Sequence, residues 1–360
     1  MNAVTTKQVS VGPVQPDISA VPGQRLVIVS DAWLPQINGV VRTLDRTRQE
    51  MEKLGLDVHV IGPDRFRTIP CPTYPEIRLA MNALWALPKM LKDLMPAAIH
   101  IATEGPLGSA ARRFCKKHKH PFSTSFHTRF PEYIHARCGL PVSITYAWMR
   151  KFHGDASVTM VTTPTMRADL DSRKFKNLEI WSRGVDLELF SPRPKDILDF
   201  PRPIFMNIGR VAVEKNIGAF LELALPGTKV VVGGGPQLEE LKAAYPDVKF
   251  LGPKTGEDLA RHYAAADVFV FPSRTDTFGL VLLEALASGV PVAALPVPGP
   301  IDVIGDNNCG VLDEDLQRAA MRALDIDPAL CRRHAEKFSW EACSLQFLQN
   351  LTANQQPKQV

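Results

Sequence analysis

Three groups of residues in the second half of the chain have types and spacing suited to a phosphorylated ligand. In the first, Asn207-Ile-Gly-Arg210 follows an apolar run and precedes Glu214-Lys215-Asn216. Gly209 lets the backbone turn sharply, and Arg210 and Lys215 project past the end of a strand. An Arg forks onto two phosphate oxygens, whereas a Lys supplies a compact point charge. Taken alone, the pair reads equally well as two solvated surface cations. The second group, Val231-Val-Gly-Gly-Gly-Pro236 with Gly234 at its centre, permits either close backbone approach to a ligand or simply a tight turn. Neither this loop nor the one after Ser30 spells GxGxxG, which argues against a dinucleotide oxidoreductase.

The third group is the most specific: Ser273-Arg-Thr-Asp276-Thr-Phe278-Gly279-Leu280-Val-Leu-Leu-Glu284-Ala-Leu-Ala-Ser-Gly289. A helix is expected to begin beside Gly279, and its first N–H groups and dipole would seat a diphosphate. Glu284, further along that helix, has the chemistry to accept hydrogen bonds from vicinal ribose hydroxyls, and Asp276 from those of a sugar ring. A carboxylate inside Leu-Val-Leu-Leu-Glu-Ala-Leu is hard to read as solvated, because Glu is seldom buried without a partner. The bland reading of Asp276 is a helix cap.

These loops need strands to carry them, and the chain supplies two sets. Arg25-Leu-Val-Ile-Val-Ser30, a helical pattern over Val40 to Lys53, and Asp57-Val-His-Val-Ile61 form a βαβ unit, which implies a parallel sheet. The pattern continues through Ala98 to Ala102, Gly108 to Lys117 and Ser157 to Val161. Phe190-Ser-Pro-Arg-Pro194 through Phe200-Pro-Arg-Pro203 then reads as a linker. Winding resumes with strands at Ile204–Ile208, Lys229–Val232, Val248–Leu251, Val268–Phe271 and Val290–Ala294, and helices at Asn216–Ala224, Gln237–Tyr245 and Leu280–Ser288. The expected fold class is α/β: two doubly wound domains, 25–190 and 204–335, facing a cleft at the carboxyl ends of their strands. Residues 1–24 and 352–360 read as tails. Ser339 to Leu351 reads as a Ser-capped helix.

At this point the sequence resembles glycosyltransferase family 4, retaining enzymes of the GT-B fold, from Arg25 to about Phe347. The motifs are Pro35-Gln-Ile-Asn-Gly39-Val-Val-Arg-Thr, Ser125-Phe-His127-Thr, Arg183-Gly-Val-Asp186, Gly209-Arg210 with Glu214-Lys215, and the carboxylate pair around Phe278-Gly279. The family's first carboxylate is usually Glu; here it is Asp276, one methylene shorter. The Thr-Asp-Thr-Phe-Gly variant is similar to a subset acting on lipids and mannosides, diacylglycerol glycosyltransferases among them. The resemblance implies that Arg210 and Lys215 neutralise a leaving nucleoside diphosphate. It further implies that Phe278, Gly279 and Leu280 offer backbone N–H groups, that Glu284 holds the ribose and Asp276 the donor sugar. Gly39 would approach the diphosphate from the other half, and His127 would touch the sugar near its reacting carbon. The last helix would cross back onto the first domain, and the two halves would move as rigid bodies about the linker when donor binds.

The remaining expectations concern partners. The 360 residues carry a net charge of +4 with a mean hydropathy of −0.06, ordinary for a folded protein. The charge is uneven: through Phe190 there are 25 Lys and Arg against 17 Asp and Glu, and beyond it the balance is acidic. Arg112, Arg113, Lys116 and Lys117 form a basic run, and Trp148 lies in Ile144-Thr-Tyr-Ala-Trp148-Met-Arg-Lys-Phe152, which mixes apolar, aromatic and basic residues as an interfacial helix would. Such a patch would dock on an anionic membrane and lipid acceptor, with each cation worth about 1 kcal/mol. Nucleic acid is disfavoured, since aromatic interleaving is missing. The N-terminal residues lack a signal-peptide apolar region, so a cytoplasmic protein at the inner face of a membrane is expected. Six scattered Cys without CxxC argue against structural zinc or disulfides. No metal or other cofactor is expected, because Asp169-Leu-Asp171 reads as helix surface and two cations would replace a divalent ion. A catalytically dead sugar-binding relative and a nucleotide-sugar epimerase are the competing readings.

Overall fold

The computed structural model describes residues 23–36, 38–71 and 74–352. The expected tails up to residue 22 and from 353, and Ile37 of the early loop, lie outside them. The first lobe holds strands β1 (Arg25–Val29), β2 (Asp57–Ile61), β3 (Thr68–Cys71), β4 (Tyr74–Ala80), β5 (Ala98–Ile101), β6 (Ser123–Phe126), β7 (Val158–Val161) and β8 (Leu178–Ile180). Its helices are α1 (Gly39–Lys53), α2 (Ala83–Leu94), α3 (Pro106–His118), α4 (Phe130–Cys138), α5 (Val142–His153) and α6 (Pro164–Ser172). The second lobe holds β9 (Ile204–Ile208), β10 (Thr228–Val232), β11 (Lys249–Phe250), β12 (Val268–Phe271), β13 (Val292–Ala294) and β14 (Gly310–Leu312). Between and after these run α7 (Ile217–Leu221), α8 (Leu238–Ala244), α9 (Gly256–Ala265), α10 (Leu280–Ala287), α11 (Pro300–Ile304), α12 (Leu316–Ala323), α13 (Pro328–Ala335) and α14 (Trp340–Thr352).

Both main sheets are parallel, with orders β2-β1-β5-β6-β7-β8 and β11-β10-β9-β12-β13-β14. Helices cover both faces, so the central strands are buried on both sides; β1 and β12 are unbroken apolar runs, whereas β6, Ser-Thr-Ser-Phe, is buried but polar. The strand order reverses between β1 and β5 in one sheet and between β9 and β12 in the other. Loops leaving the strand ends at such a reversal splay apart and leave a crevice. The loops after β9 and β12 are those with Gly209-Arg210 and Asp276 to Gly279, so the fold brings these two together. The antiparallel β3–β4 hairpin had no counterpart in the sequence reading.

The linker is stapled rather than loose. Leu187, Leu189, Leu198 and Phe200 pack on the second lobe's core. Arg193 pairs with Glu257, and Lys195 and Arg202 both reach Asp267, at 2.8 and 2.9 Å. The final helix α14 returns to the first lobe, where Phe347, Leu348 and Leu351 join Leu26 and Ile28 in one core. Ser339 caps it through its hydroxyl, which accepts from the Ala342 amide at 3.0 Å. Gly184 makes this return possible: a Cβ there would lie 2.4 Å from the Trp340 nitrogen.

Candidate active site between the lobes

The loop after β9 is tied to the loop after β12 by side chains. Asn207 donates to the Val270 carbonyl at 2.9 Å and Asn216 to that of Pro272 at 3.0 Å, while Thr275 donates to the Glu214 carbonyl at 3.1 Å. This lacing sets Lys215 against Asp276, Nζ to Oδ1 at 2.5 Å. Burial works against the Lys215 charge, but Asp276, Tyr133 and Glu214 outweigh it and hold the ammonium above the ordinary lysine range. The other Asp276 oxygen, Oδ2, is buried and has no hydrogen-bond partner among the described residues. A buried acceptor left unmet is costly, and a ligand hydroxyl would meet it. Asp276 does not cap α10; that position belongs to Gly279, at φ 84°. Arg210 is half-buried on the same loop as Lys215.

The Gly-rich loop divides into two jobs. A Cβ on Gly233 would stand 1.8 Å from the Gly209 carbonyl oxygen, and one on Gly235 2.3 Å from that of Val211. These two glycines serve the packing of one loop on the next. Gly234 has only the Pro253 ring near it, at 3.8 Å, and is the member with room for a ligand. Across the cleft, Gly39 begins α1, and a Cβ there would meet Leu280 Cδ1 at 3.5 Å. The starts of α1 and α10 therefore face each other. Asn38 caps α1, accepting from the Val41 amide at 3.0 Å. Phe278 is buried and edge-on to Phe338, which fixes the backbone just before α10.

Glu284 is 6% exposed, and both its oxygens are engaged. Oε1 accepts from Arg42 of the first lobe at 2.6 Å, and Oε2 from the Tyr263 hydroxyl at 2.7 Å. Arg42, Arg46, Asp186, Leu280, Glu284 and Trp340 line a crevice of about 240 Å³ between the lobes. Arg46 pairs with Asp186 on its wall. His127 sits at the junction: its carbonyl accepts from Thr277 of the second lobe at 2.7 Å, and Thr162 donates to the Thr277 carbonyl at 2.6 Å. Burial, then Arg183, His100 and His153, drive its imidazole well below the usual histidine range, so the ring is neutral.

Several contributors were not identified from the sequence. Tyr133 of α4 reaches over to bond the Thr275 side chain near Lys215 and Asp276, and burial pushes its hydroxyl up to about 12. Arg42, Tyr263, Thr162 and Thr277 likewise escaped notice. Of these, Arg42, three positions after Gly39 on the same helix, and Thr277, next to Asp276, stand within motifs marked in the sequence.

Part of the basic run is engaged within the first lobe. Arg112 turns inward, donating to the Phe152 and Lys151 carbonyls at 2.9 and 3.0 Å and to Asp155. Lys116 joins the same carboxylate at 2.8 Å. Both cations thus tie α3 to the segment after α5, Arg112 half-buried and Lys116 still exposed. Arg113 and Lys117 remain exposed, and Trp148 is 47% exposed. On α2, which packs against α3, Trp85 is 78% exposed with Leu84 beside it. Asp169 of the Asp-x-Asp on α6 is taken up by Arg129 and Arg173. Among the described residues, no helix is long and apolar enough to cross a membrane.

Comparison with known proteins agrees with this geometry. The model described as Glycosyltransferase Family 4 matches residues 37–189, and that described as Glycosyl transferases group 1 matches 202–326. A GDP-mannose-dependent alpha-mannosyltransferase of Mycobacterium tuberculosis is 28% identical over 81% of this chain and 84% of its own. An alpha-monoglucosyldiacylglycerol synthase of Streptococcus pneumoniae is 26% identical over 84% of this chain and 79% of its own. The structure of sucrose-phosphate synthase from Thermosynechococcus elongatus superposes with a TM-score of 0.74 over 91% of this chain and 98% of its own, at 21% identity. With one lobe matched by each model and the GT-B architecture around a shared cleft, the chain belongs to the family 4 glycosyltransferases and is a hexosyltransferase.

Proposed function

We propose that this enzyme moves a hexosyl unit from a nucleoside-diphosphate sugar to a lipid-borne acceptor, with retention of anomeric configuration and without a metal ion. The observation that carries it is the gathering of Lys215, Asp276 and the start of α10 on one side of a cleft closed by Gly39 and His127. Arg210 and Lys215, with the first amides of α10, stabilise the diphosphate as the anomeric C–O bond breaks and its electron pair moves to the phosphate oxygen. Gly234 gives the diphosphate room, and Glu284 holds the ribose. The acceptor oxygen attacks from the face the diphosphate leaves, and its proton passes to a phosphate oxygen of the leaving group. In this reading neither carboxylate is a glycosidase-type nucleophile: Asp276 braces Lys215 through Oδ1 and turns Oδ2 to a sugar hydroxyl, and Glu284 is held by Arg42 and Tyr263. That engagement supports front-face substitution. The two fixed cations take the part a divalent ion plays in other transferases.

For the donor, the mannosyltransferase relative favours GDP-mannose, and the alpha-monoglucosyldiacylglycerol synthase relative supports a glucosyl donor with diacylglycerol, for which UDP-glucose is set beside UDP-glucuronate. For the acceptor side, Trp148, Trp85, Leu84, Arg113 and Lys117 lie exposed on helices packed around α3, a mixture that suits peripheral docking on anionic lipid from the cytoplasmic side. The test crosses these three donors with diacylglycerol and a mannosylated lipid, in EDTA, on anionic and neutral liposomes. The expected result is one α-linked product by mass spectrometry and NMR, formed fully in EDTA and faster on anionic vesicles. A β-linked product, dependence on Mg²⁺ or Mn²⁺, or indifference to lipid charge at low salt would contradict the corresponding part.

A further inference from the structure

Arg183 lies on the segment after β8, 5% exposed, with its guanidinium 4.5 Å over the Trp181 ring. Nη1 donates to the Trp181 and Ser182 carbonyls at 2.6 and 2.8 Å, and Nη2 contacts His127 Nδ1 at 3.0 Å. Two carbonyls, one ring nitrogen and an aromatic face thus occupy it, and no carboxylate is among these partners. Burial lowers its pKa to about 10, which leaves it charged at neutral pH.

A guanidinium only donates. In the bond to His127 the ring's Nδ1 must therefore accept, which places the proton on Nε2 and leaves the ring uncharged. Nε2 is buried and has no hydrogen-bond partner among the described residues. The structure thus holds an N–H donor at the lobe junction with nothing to receive it. The groups facing the ring are Arg183 from the segment after β8, His100 on β5 and His153 at the end of α5, with Thr277 of the second lobe on its carbonyl. None of the three titratable or charged groups favours an imidazolium.

We propose that Arg183 is a positioning residue that locks His127 as the neutral Nε2–H tautomer, so that the ring donates one hydrogen bond to a hydroxyl of the donor hexose. The proposal rests on the donor-sugar site inferred above and deepens it. Neutrality has a chemical purpose there. The sugar gains positive charge at its anomeric carbon as the bond to diphosphate lengthens, and an imidazolium beside it would repel that charge. A neutral donor recognises the hydroxyl without that penalty, and Arg183 keeps its own charge on the Nδ1 side of the ring.

The test uses the full chain with ¹⁵N-labelled histidine, His127→Asn supplying the assignment, and long-range ¹H–¹⁵N spectra from pH 5.5 to 8. The wild-type ring is expected to remain Nε2–H and neutral throughout. In Arg183→Met, burial, His100 and His153 still disfavour the imidazolium, but nothing then makes Nδ1 accept, so the ring should lose its single tautomer and show protons on both Nδ1 and Nε2. Arg183→Lys keeps the charge and should keep the ring neutral. A wild-type ring that titrates in this range, or one protonated on Nδ1, overturns the proposal even if Arg183→Met fails to fold; so does a folded Arg183→Met with an unchanged ring. In a second arm, UDP-glucose or GDP-mannose should shift the Nε2–H signal while UDP and GDP do not. Equal shifts from bare diphosphate overturn the hydroxyl assignment. The tautomer is read without nucleotide, so failure to bind any of the four contradicts the proposed function separately.

Discussion

Lys215 and Asp276 are 61 positions apart, yet their ion pair is the hinge of the chemistry. The sequence made both legible as types, a cation after a strand and a carboxylate before a helix. Their pairing was hidden, because it depends on how Asn207, Asn216 and Thr275 lace two loops together. The same holds for Arg42 and Glu284, 242 positions apart. Glu284 was marked as a carboxylate in apolar surroundings, and what could not be read was which cation would cross the cleft to it. The pairing gives Lys215 a fixed position before any ligand arrives, and preorganised charge is what stabilises a leaving group. Lys215→Ala should therefore lower kcat/KM about 100- to 1,000-fold in a nucleotide-release assay. Asp276→Asn should weaken donor use in the same assay, because it removes the sugar-facing carboxylate and the counter-charge of Lys215 together. If Lys215→Ala is nearly as active as wild type, the ammonium does not act on the leaving group.

Strands were the most legible elements, since parallel strands covered on both faces are mostly apolar. The short edge strands β8 and β14 and the β3–β4 hairpin were not, as few residues of each carry a pattern, and neither was the internal strand β6, whose Ser-Thr-Ser-Phe lacks an apolar run. Helix α3 shows a different limit. Its basic run reads as a docking patch, but Arg112 is drawn in by Asp155 in the turn after α5, which the exposed Lys116 also reaches. The Gly-rich loop was correctly ambiguous. Gly233 at φ 148° lies against the Gly209 carbonyl, so Gly233→Ala should destabilise the second lobe by about 1–3 kcal/mol. Gly234→Ala should leave stability near wild type and raise the KM for donor. Denaturant unfolding and steady-state kinetics together would separate the two. Equal stability of both variants would contradict this division.

The two lobes are joined by α14, the stapled linker and contacts across the cleft. Thr165 reaches Asp302 through its amide and hydroxyl at 3.0 and 2.8 Å, in addition to the Thr277 and Arg42 bonds. At this scale pH enters through buried imidazoles. His100, fully buried between Ser123 and Ser125, is held neutral by burial and the Arg183 charge with a pKa of about 3. Unfolding returns it to about 6.5, so between these values the unfolded chain binds the proton and the folded one does not. Stability should fall as pH drops below 6.5, by about 1.4 kcal/mol per pH unit from this ring. His127 adds to this in the same direction, whereas burial raises the Asp31 carboxyl and opposes it. The His100 share is the difference in slope between wild type and His100→Asn in urea melts from pH 6.5 to 5. Parallel slopes would rule it out.

The central claim is that two cations and the tip of α10 converge on one diphosphate in the cleft without a metal. Calorimetric titration of UDP and GDP into the full chain in EDTA tests this most directly. One of the two should bind wild type at one site, unaffected by added Mg²⁺, and lose at least about 100-fold in affinity in the Arg210→Ala/Lys215→Ala double variant. Binding that needs the metal, or that survives the double variant unchanged, would contradict the account.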